Sequence, residues 1–464
     1  MAPATRPPDP KWYGSARAIA IEVLRRVDAD DAYADLALNA ELSRSSLDAR
    51  DRAFATDLVY GTLRWRGRLD YLLNERAERP IDALPPQARA ALRAGAYQLL
   101  HSRSVPPRAA VGETVEAMRA LGMERLTGFA NALLRRLNRE RDNLSFPDPD
   151  RDPVGHAAAC HAHPPWIVER LFEQLGHEEA VRFMEADNVV PPLTLRVRGG
   201  RTTPGELIAR LADAGFEARA GRYAPGAVVL VERAPPGALP GFAEGCFAVQ
   251  DEASQLVSLL VGAARGERVL DLCAAPGGKT AHLAEQVGPK GRVVALDANA
   301  ARLDLVTALC RRMGLDNVET VMGDARGLPQ TVAGDGFDCV LADAPCTGLG
   351  VLRRNPDARW RMTPDAPARL AGLQSEILAR ARTLVRPGGV LVYSVCTFAP
   401  EETIGVIEGL LGETGDFVVE SPEAVLGEDC REMMERASFG WALSTWPQRH
   451  GTDAFFAVRM RRRG

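Results

Sequence analysis

Two cysteines and three aspartates in the second half of this 464-residue chain stand where they could do chemistry. Cys346 lies in Ala342-Asp343-Ala344-Pro345-Cys346-Thr347-Gly348-Leu349-Gly350, just past a short apolar run, and Cys396 follows another in Tyr393-Ser394-Val395-Cys396-Thr397. Upstream, Cys273-Ala274-Ala275-Pro276-Gly277-Gly278-Lys279-Thr280 joins an apolar run to a helical pattern. Small residues there let backbone N–H groups close on an anionic or carboxylate-bearing ligand at a helix N-terminus. Cys273 stands where a Walker A loop needs its first glycine, and no G-x-G-x-x-G fingerprint is present. Asp297 ends the next run, 20 residues after Gly277, where a carboxylate can accept hydrogen bonds from two ribose hydroxyls. Asp324, in Gly323-Asp324-Ala325, is placed to meet an adenine amino group, and Asp343 ends a further run. A single such Asp is ordinarily a turn or cap residue. Three in successive strand ends beside a glycine-rich loop favour a ligand.

A thiolate beside a nucleoside-bearing methyl donor suits one chemistry in particular. The C5 carbon of a pyrimidine is a poor nucleophile until a thiolate adds to C6, when the resulting enamine can attack a sulfonium methyl group. A base then removes the C5 proton and the thiol is eliminated. A free thiol is mostly protonated at neutral pH, so its surroundings must help it. Asp343, if protonated against N3 of the ring, could draw charge away as the thiolate adds. Cys160, Cys246, Cys310, Cys339 and Cys430 read as small buried hydrophobes. His156, Cys160, His161 and His163 match no zinc spacing and read as structural, so no metal is expected.

Elements that could position these groups follow from periodicity. Residues 15–140 read as helix, broken at Arg79–Pro80, Pro85–Pro86 and Pro106–Pro107. Residues 141–165 are polar and proline-bearing, a linker pattern, and 166–187 return to helix. Short strands are predicted at Thr194–Val197 and Val228–Val231 around a helix near Pro204–Ala214. From about residue 250 strands and helices alternate, with strands at Arg268–Leu272, Arg292–Leu296, Val318–Met322, Phe337–Ala342 and Val390–Ser394. That rhythm predicts a parallel sheet with its ligand across the carboxyl ends of the strands. Ala442–Pro447 and Ala454–Met460 lie too close for a helical crossover and read as an antiparallel hairpin around His450–Gly451.

These motifs together resemble the RNA cytosine-C5 methyltransferase family. The likeness rests on Leu270 to Thr280, Asp343-Ala344-Pro345-Cys346-Thr347-Gly348 and Tyr393-Ser394-Val395-Cys396-Thr397, with Val249-Gln250-Asp251-Glu252-Ala253-Ser254-Gln255 ahead of them. The resemblance implies S-adenosyl-L-methionine as cofactor, held by Cys273, Ala274, Ala275, Pro276, Gly277, Gly278, Lys279, Asp297, Asp324 and Asp343. It implies Cys396 as the C6 nucleophile and Cys346 as the thiol that assists product release. The Glu-Asn-Val tripeptide of DNA cytosine methyltransferases is missing, so RNA is expected and DNA is not. Leu58 to Arg64, Leu92 to Leu100 and Gly128 to Arg135 resemble the NusB-type helical RNA-binding domain, which points to the bacterial small-subunit rRNA branch of the family (the Sun or Fmu type). The chain departs from that pattern at Gly112, where Asn is usual, and in Tyr393 to Thr397, where Tyr-Ala-Thr-Cys-Ser is commoner.

The fold implied is α/β, a class I S-adenosylmethionine-dependent methyltransferase. Its Rossmann-like, mostly parallel sheet carries a C-terminal antiparallel hairpin. Domains are expected at 1–145 (NusB-like, all-helical), 155–248 (small α+β connecting subdomain) and 249–464 (methyltransferase). The expected partner is 16S rRNA or an assembling small subunit, with the chain a monomer. The same chemistry on tRNA or another rRNA site is one alternative, and a non-catalytic RNA-binding assembly factor is another.

Composition neither demands nor forbids RNA. Net charge is −4, from 57 basic and 61 acidic residues, yet 1–140 hold 22 basic and 18 acidic ones. Residues 401–430 hold nine acids and no Lys or Arg, and read as an outer helix and loop turned away from RNA. Only Lys11, Lys279 and Lys290 are lysines, so Lys279 is either a ligand-facing ammonium or a chance helix-face residue. Arg353, Arg354, Arg359, Trp360 and Arg361 could pair phosphates and stack on an unpaired base, or form a solvated helix face with Trp360 in the core. Arg461-Arg462-Arg463 could touch phosphate as well, or be a solvated tail. Eight sparse cysteines and no long apolar run predict a protein of a reducing cytoplasm, with no membrane span and no signal peptide over Met1–Pro10.

Overall fold

Prolines start helices in the first half of the chain, where their missing N–H costs nothing. Pro86 opens Pro86–His101 and Pro107 opens Pro107–Ala120. The computed structural model describes residues 14–102, 104–328, 332, 334 and 336–464, so the Met1–Pro10 segment and Lys11 lie outside the described residues. Two compact units form: residues up to Val189 together with Leu352–Met362, and Val190–Val351 together with Thr363–Gly464.

The first unit is helical. Ser15 caps Ala16–Ala29 by accepting the Ala18 N–H (3.2 Å), and Asp48 caps Ala49–Arg64 through the Asp51 N–H (2.8 Å). Pro86–His101 is the central helix, buried along most of its length, and its small residues admit close neighbours. A Cβ on Gly95 would lie 2.7 Å from the Leu134 side chain. Pro153–His161, Pro165–Leu175 and His177–Asn188 belong to this unit too. The connecting subdomain expected at 155–248 covers most of these helices together with the small sheet of the second unit.

The second unit holds two sheets. The smaller is antiparallel, in the order β2-β3-β1-β4, from β1 Thr194–Val197, β2 Ala218–Ala220, β3 Ala227–Leu230 and β4 Phe247–Val249. Its helix, Pro204–Asp213, starts with a full capping box between Thr203 and Glu206. The larger sheet contains β5 Arg268–Asp271, β6 Arg292–Asp297, β7 Val318–Met322, β8 Phe337–Asp343 and β9 Val385–Val395, all mutually parallel. β5 lies between β8 and β6. The chain therefore winds first to one side of β5 and then to the other, which opens a crevice at the carboxyl ends of β5 and β8.

The other edge is antiparallel and larger than the sequence suggests. β13 Phe456–Arg462 pairs β9, and β12 Gly440–Ser444 pairs β13, as the predicted hairpin requires. β11 Met434–Ala437 extends the edge, and β10 Phe417–Glu420 pairs the Arg459–Arg462 end of β13. β10 lies inside the acid-only block, so that block is not an outer helix and loop alone. Glu420 bonds Arg459 (2.7 Å) and Arg461, and Arg431 pairs Glu423. Arg462 donates to the Val385 carbonyl. Arginines from neighbouring elements thus neutralise these acids, and the Arg461–Arg462 pair is engaged within the protein. Among the described residues no helix is long and apolar enough to cross a membrane.

Candidate active site

The loop after β5 is held tightly at the crevice. Ala274 N–H donates to Leu296 O (2.9 Å) and Gly277 N–H to Ala274 O (2.8 Å), so the loop turns back over the end of β6. Gly277 adopts φ +105°, and a Cβ there would meet Val306 Cα at 3.0 Å, so only glycine suits the turn into helix Gly278–Val287. Ala274 and Ala275 are buried, Cys273 is half-buried, and Pro276 is exposed at the tip. Cys273 lies under the electrostatic influence of Asp271, Asp343 and Asp297, and its thiol is pushed far up, by burial first and by those carboxylates next.

The carboxylates occupy distinct settings. Asp297 is nearly buried and accepts the N–H groups of Ala275 (3.2 Å) and Asn299 (2.9 Å). Asp324 is half-exposed and locked to Arg326 at 2.7 Å, and the bonds from Arg326 hold its carboxyl at about 2. Gly323 N–H donates to Asp297 O (3.1 Å), which keeps the Asp324 turn beside the end of β6. Asp343, at the end of β8, lies 2.6 Å from Lys279 Nζ and accepts the Ser394 hydroxyl. Burial lowers the Lys279 ammonium but Asp343 outweighs it, and the net shift is upward. Lys279 is therefore a half-buried ion-pair partner with Phe455 5.0 Å away, rather than a chance residue on a solvated helix face.

Asp271 escaped the sequence reading. Its Oδ2 accepts the Thr280 hydroxyl at 2.7 Å, while Oδ1 is buried with no hydrogen bond of ordinary length and angle. Burial raises this carboxyl to about 7 despite the Thr280 bond. A folded-state value above the unfolded one means that the group's contribution is complete only below about pH 4 and is lost as pH rises through about 7. Asp271→Asn is expected to gain on wild type in thermal melts as pH goes from about 5 to about 8. A gap that does not change with pH refutes this.

Cys346 and Cys396 meet. Register pairs Asp343 of β8 with Ser394 of β9, and the turns that follow bring the two sulfurs to 3.4 Å, both cysteines free and half-buried. Contact with Cys396 and then burial push the Cys346 thiol well up. Gly350 N–H donates to Cys396 O at 2.9 Å, which ties the two turns at backbone level as well.

Beneath the thiols lies a polar network that sequence reasoning missed. Glu402, one of the nine acids of 401–430 read as an outer helix and loop, is fully buried and bonded to Thr347, Thr397 and Gln374. The one available signal was the Cys-Thr pair repeated at 346–347 and 396–397, since paired hydroxyls in adjoining turns call for a shared partner.

The arginine-rich segment 352–362 belongs to the first unit, and it corrects the RNA expectation for several residues. Arg359 is 0% exposed and donates to Arg64 O (3.0 Å), Ala162 O (2.8 Å) and Asn188 Oδ1 (3.0 Å), with Asp187 as its ion-pair partner. Trp360 gives its indole N–H to Leu63 O (2.8 Å). Arg361 pairs Asp357 (3.0 Å) and lies over the Tyr33 ring, and Arg353 is buried. These groups fasten the segment to the helical unit. Arg354 is half-buried and has a partner of its own. His163 is buried against Asp187 (3.1 Å), a structural use, and no cluster of metal-ligating side chains occurs among the described residues.

A mostly parallel sheet wound about β5, with a glycine-turned loop at its switch point and an antiparallel edge, is the fold of a class I methyltransferase. Residues 259–461 match the family described as 16S rRNA methyltransferase RsmB/F, residues 14–139 the NusB family, and residues 163–235 the ferredoxin-like domain of RsmF/B-like methyltransferases. A ribosomal RNA small subunit methyltransferase B of Pseudomonas putida is 39% identical, covering 86% of this chain and 89% of its own length. One from Klebsiella pneumoniae is 37% identical over 79% of this chain and 83% of its own. The crystal structure of PH0851 is similar at a TM-score of 0.79, with 27% identity over 98% of this chain and 99% of that one. The chain belongs to the ribosomal RNA small subunit methyltransferase B family.

Proposed function

We propose that this protein transfers a methyl group from S-adenosyl-L-methionine to C5 of a cytosine in 16S rRNA, through a covalent bond between Cys396 and C6. The observation that carries the reading is the 3.4 Å contact of Cys346 and Cys396 beside Asp343, at the carboxyl ends of adjacent parallel strands. A buried carboxyl oxygen of Asp271 with no hydrogen bond of ordinary length and angle fits a ligand that bears an ammonium group. Cys273 to Lys279, Asp297, Asp324 and Asp343 would hold the cofactor, whose contribution is an electrophilic methyl on a sulfonium sulfur.

The protein's own groups do the rest. Cys396 adds to C6, and the C5=C6 electron pair becomes available to attack the methyl carbon. The Lys279–Asp343 pair (2.6 Å) would lend a proton to N3 of the ring as the S–C6 bond forms and recover it once the methyl group is transferred. Cys346 would then give its proton to the departing Cys396 sulfur and take up the C5 proton, so that the C5–H electron pair restores the C5=C6 bond as the S–C6 bond breaks. The family of the relatives supports small-subunit rRNA as substrate, with an unpaired or flipped-out cytosine as the reacting base.

The test is incubation with labelled S-adenosyl-L-methionine and undermethylated small-subunit rRNA, followed by mapping of the product. Label at C5 of one cytosine is expected. Label only in tRNA would move the substrate, and no label in any RNA would leave a binding module. Asp343→Asn is expected to lower the transfer rate about 10²–10⁴-fold while RNA binding survives, and an unchanged rate removes the proton role.

A further inference from the structure

Glu402 lies six residues beyond Cys396 and is 0% exposed. Its Oε1 accepts the Thr347 N–H (2.9 Å) and a Gln374 amide N–H (2.9 Å). Its Oε2 accepts the Thr347 hydroxyl (2.5 Å) and the Thr397 hydroxyl (3.1 Å), which are 2.9 Å from each other. Gln374 gives its second N–H to Pro345 O (2.9 Å), and the Tyr393 hydroxyl lies 3.0 Å from Gln374 Oε1 and 2.6 Å from Glu402 O. The residues on either side of Cys346 are therefore grasped, and so is the residue after Cys396.

Four donors converge on this carboxyl, and no Lys or Arg among the described residues is paired with it. Burial is costly for such a group and raises its pKa, although the hydrogen bonds offset part of the shift. Packing alone would be served better by an apolar side chain of similar volume. An acceptor that reaches two turns at once does something an apolar residue cannot.

We infer that Glu402 is a positioning residue for the reaction proposed above: its carboxyl group fastens the turn that carries Cys346 to the turn that carries Cys396, and so sets the spacing of the two thiols. Its negative charge also bears on Cys346 and disfavours a thiolate there. The Cys346 thiol can then remain a donor toward Cys396.

The experiment compares full-length wild type, Glu402→Gln, Cys346→Ala and the double variant, after melts have shown that each is folded. In Glu402→Gln an amide N–H faces two threonine hydroxyls, which can turn to accept it, so the fold is kept while the clamp loosens. A misplacement of reacting groups by about 1 Å costs on the order of 10²-fold. Glu402→Gln is therefore expected to lower kcat by about 10²-fold with KM for S-adenosyl-L-methionine and for RNA unchanged. Covalent RNA adduct should accumulate in Cys346→Ala, and more slowly by the same factor in the double variant. Wild-type kcat in Glu402→Gln, or an adduct rate that Glu402→Gln leaves alone, overturns the inference and leaves the thiol chemistry standing. No adduct in Cys346→Ala with Glu402 intact would instead remove the thiol chemistry. Should Glu402→Gln not fold, Thr397→Val deletes one donor at nearly constant shape and is expected to show the same kcat-only loss, about 10-fold. Wild-type kcat in that variant overturns the inference equally.

Discussion

Cys396→Ala is expected to abolish methyl transfer, by about 10⁴-fold or more, because loss of a covalent nucleophile leaves only binding and orientation to act. Cys346→Ala is expected to fail differently, with RNA left attached to the protein through Cys396. At 3.4 Å the two sulfurs reach the same region of a bound base, so distance alone does not choose between them. The assignment follows the resemblance to the cytosine-C5 methyltransferase family, and the buried charge of Glu402, which acts against a thiolate at Cys346, is in keeping with it. A denaturing gel of each variant after incubation with substrate RNA and S-adenosyl-L-methionine gives the readout. A shifted band in Cys346→Ala and none in Cys396→Ala supports the roles assigned here. The reverse pattern exchanges them, and no band in either removes the covalent route.

The crevice was legible because its parts repeat a strand–helix rhythm. An apolar run that ends in Asp or precedes Cys places that side chain at a carboxyl edge, and β5, β6, β7, β8 and β9 all lie where the alternation predicts them. Strands whose partners are distant in sequence were harder to see. β10 is four residues long within an acidic stretch, and its pairing depends on β13 some forty residues later. Glu402 was hidden for a related reason. Counting charge along the chain treats an acid as solvated, whereas burial follows from Thr347 and Gln374, which lie 55 and 28 residues away. Arg359 illustrates the same limit, since a basic run next to an aromatic looks alike whether it meets phosphate or, as this buried side chain does, backbone carbonyls.

Arg359→Ala is expected to cost about 3–5 kcal/mol, the usual result of removing one partner of a buried pair and leaving the other behind. Asp187, at 1% side-chain exposure, would keep His163 and the charge of Arg353 but lose its guanidinium partner, and three acceptors on separate elements would lose their donor. Arg359→Lys is expected to recover little, because one ammonium cannot reach the carbonyls of Arg64 and Ala162, the Asn188 side chain and Asp187 together. Since 1 kcal/mol moves the melting temperature of a unit of roughly 200 residues by about 2–4 °C, the first unit's transition should fall by about 10 °C. A phosphate contact would behave otherwise. Its removal would leave the melt nearly unchanged and reduce the slope of log affinity against log salt by about 1. The burial of Arg359 selects the first outcome, a lowered melt with the salt slope unaltered. A wild-type melt with a reduced slope would return Arg359 to the RNA.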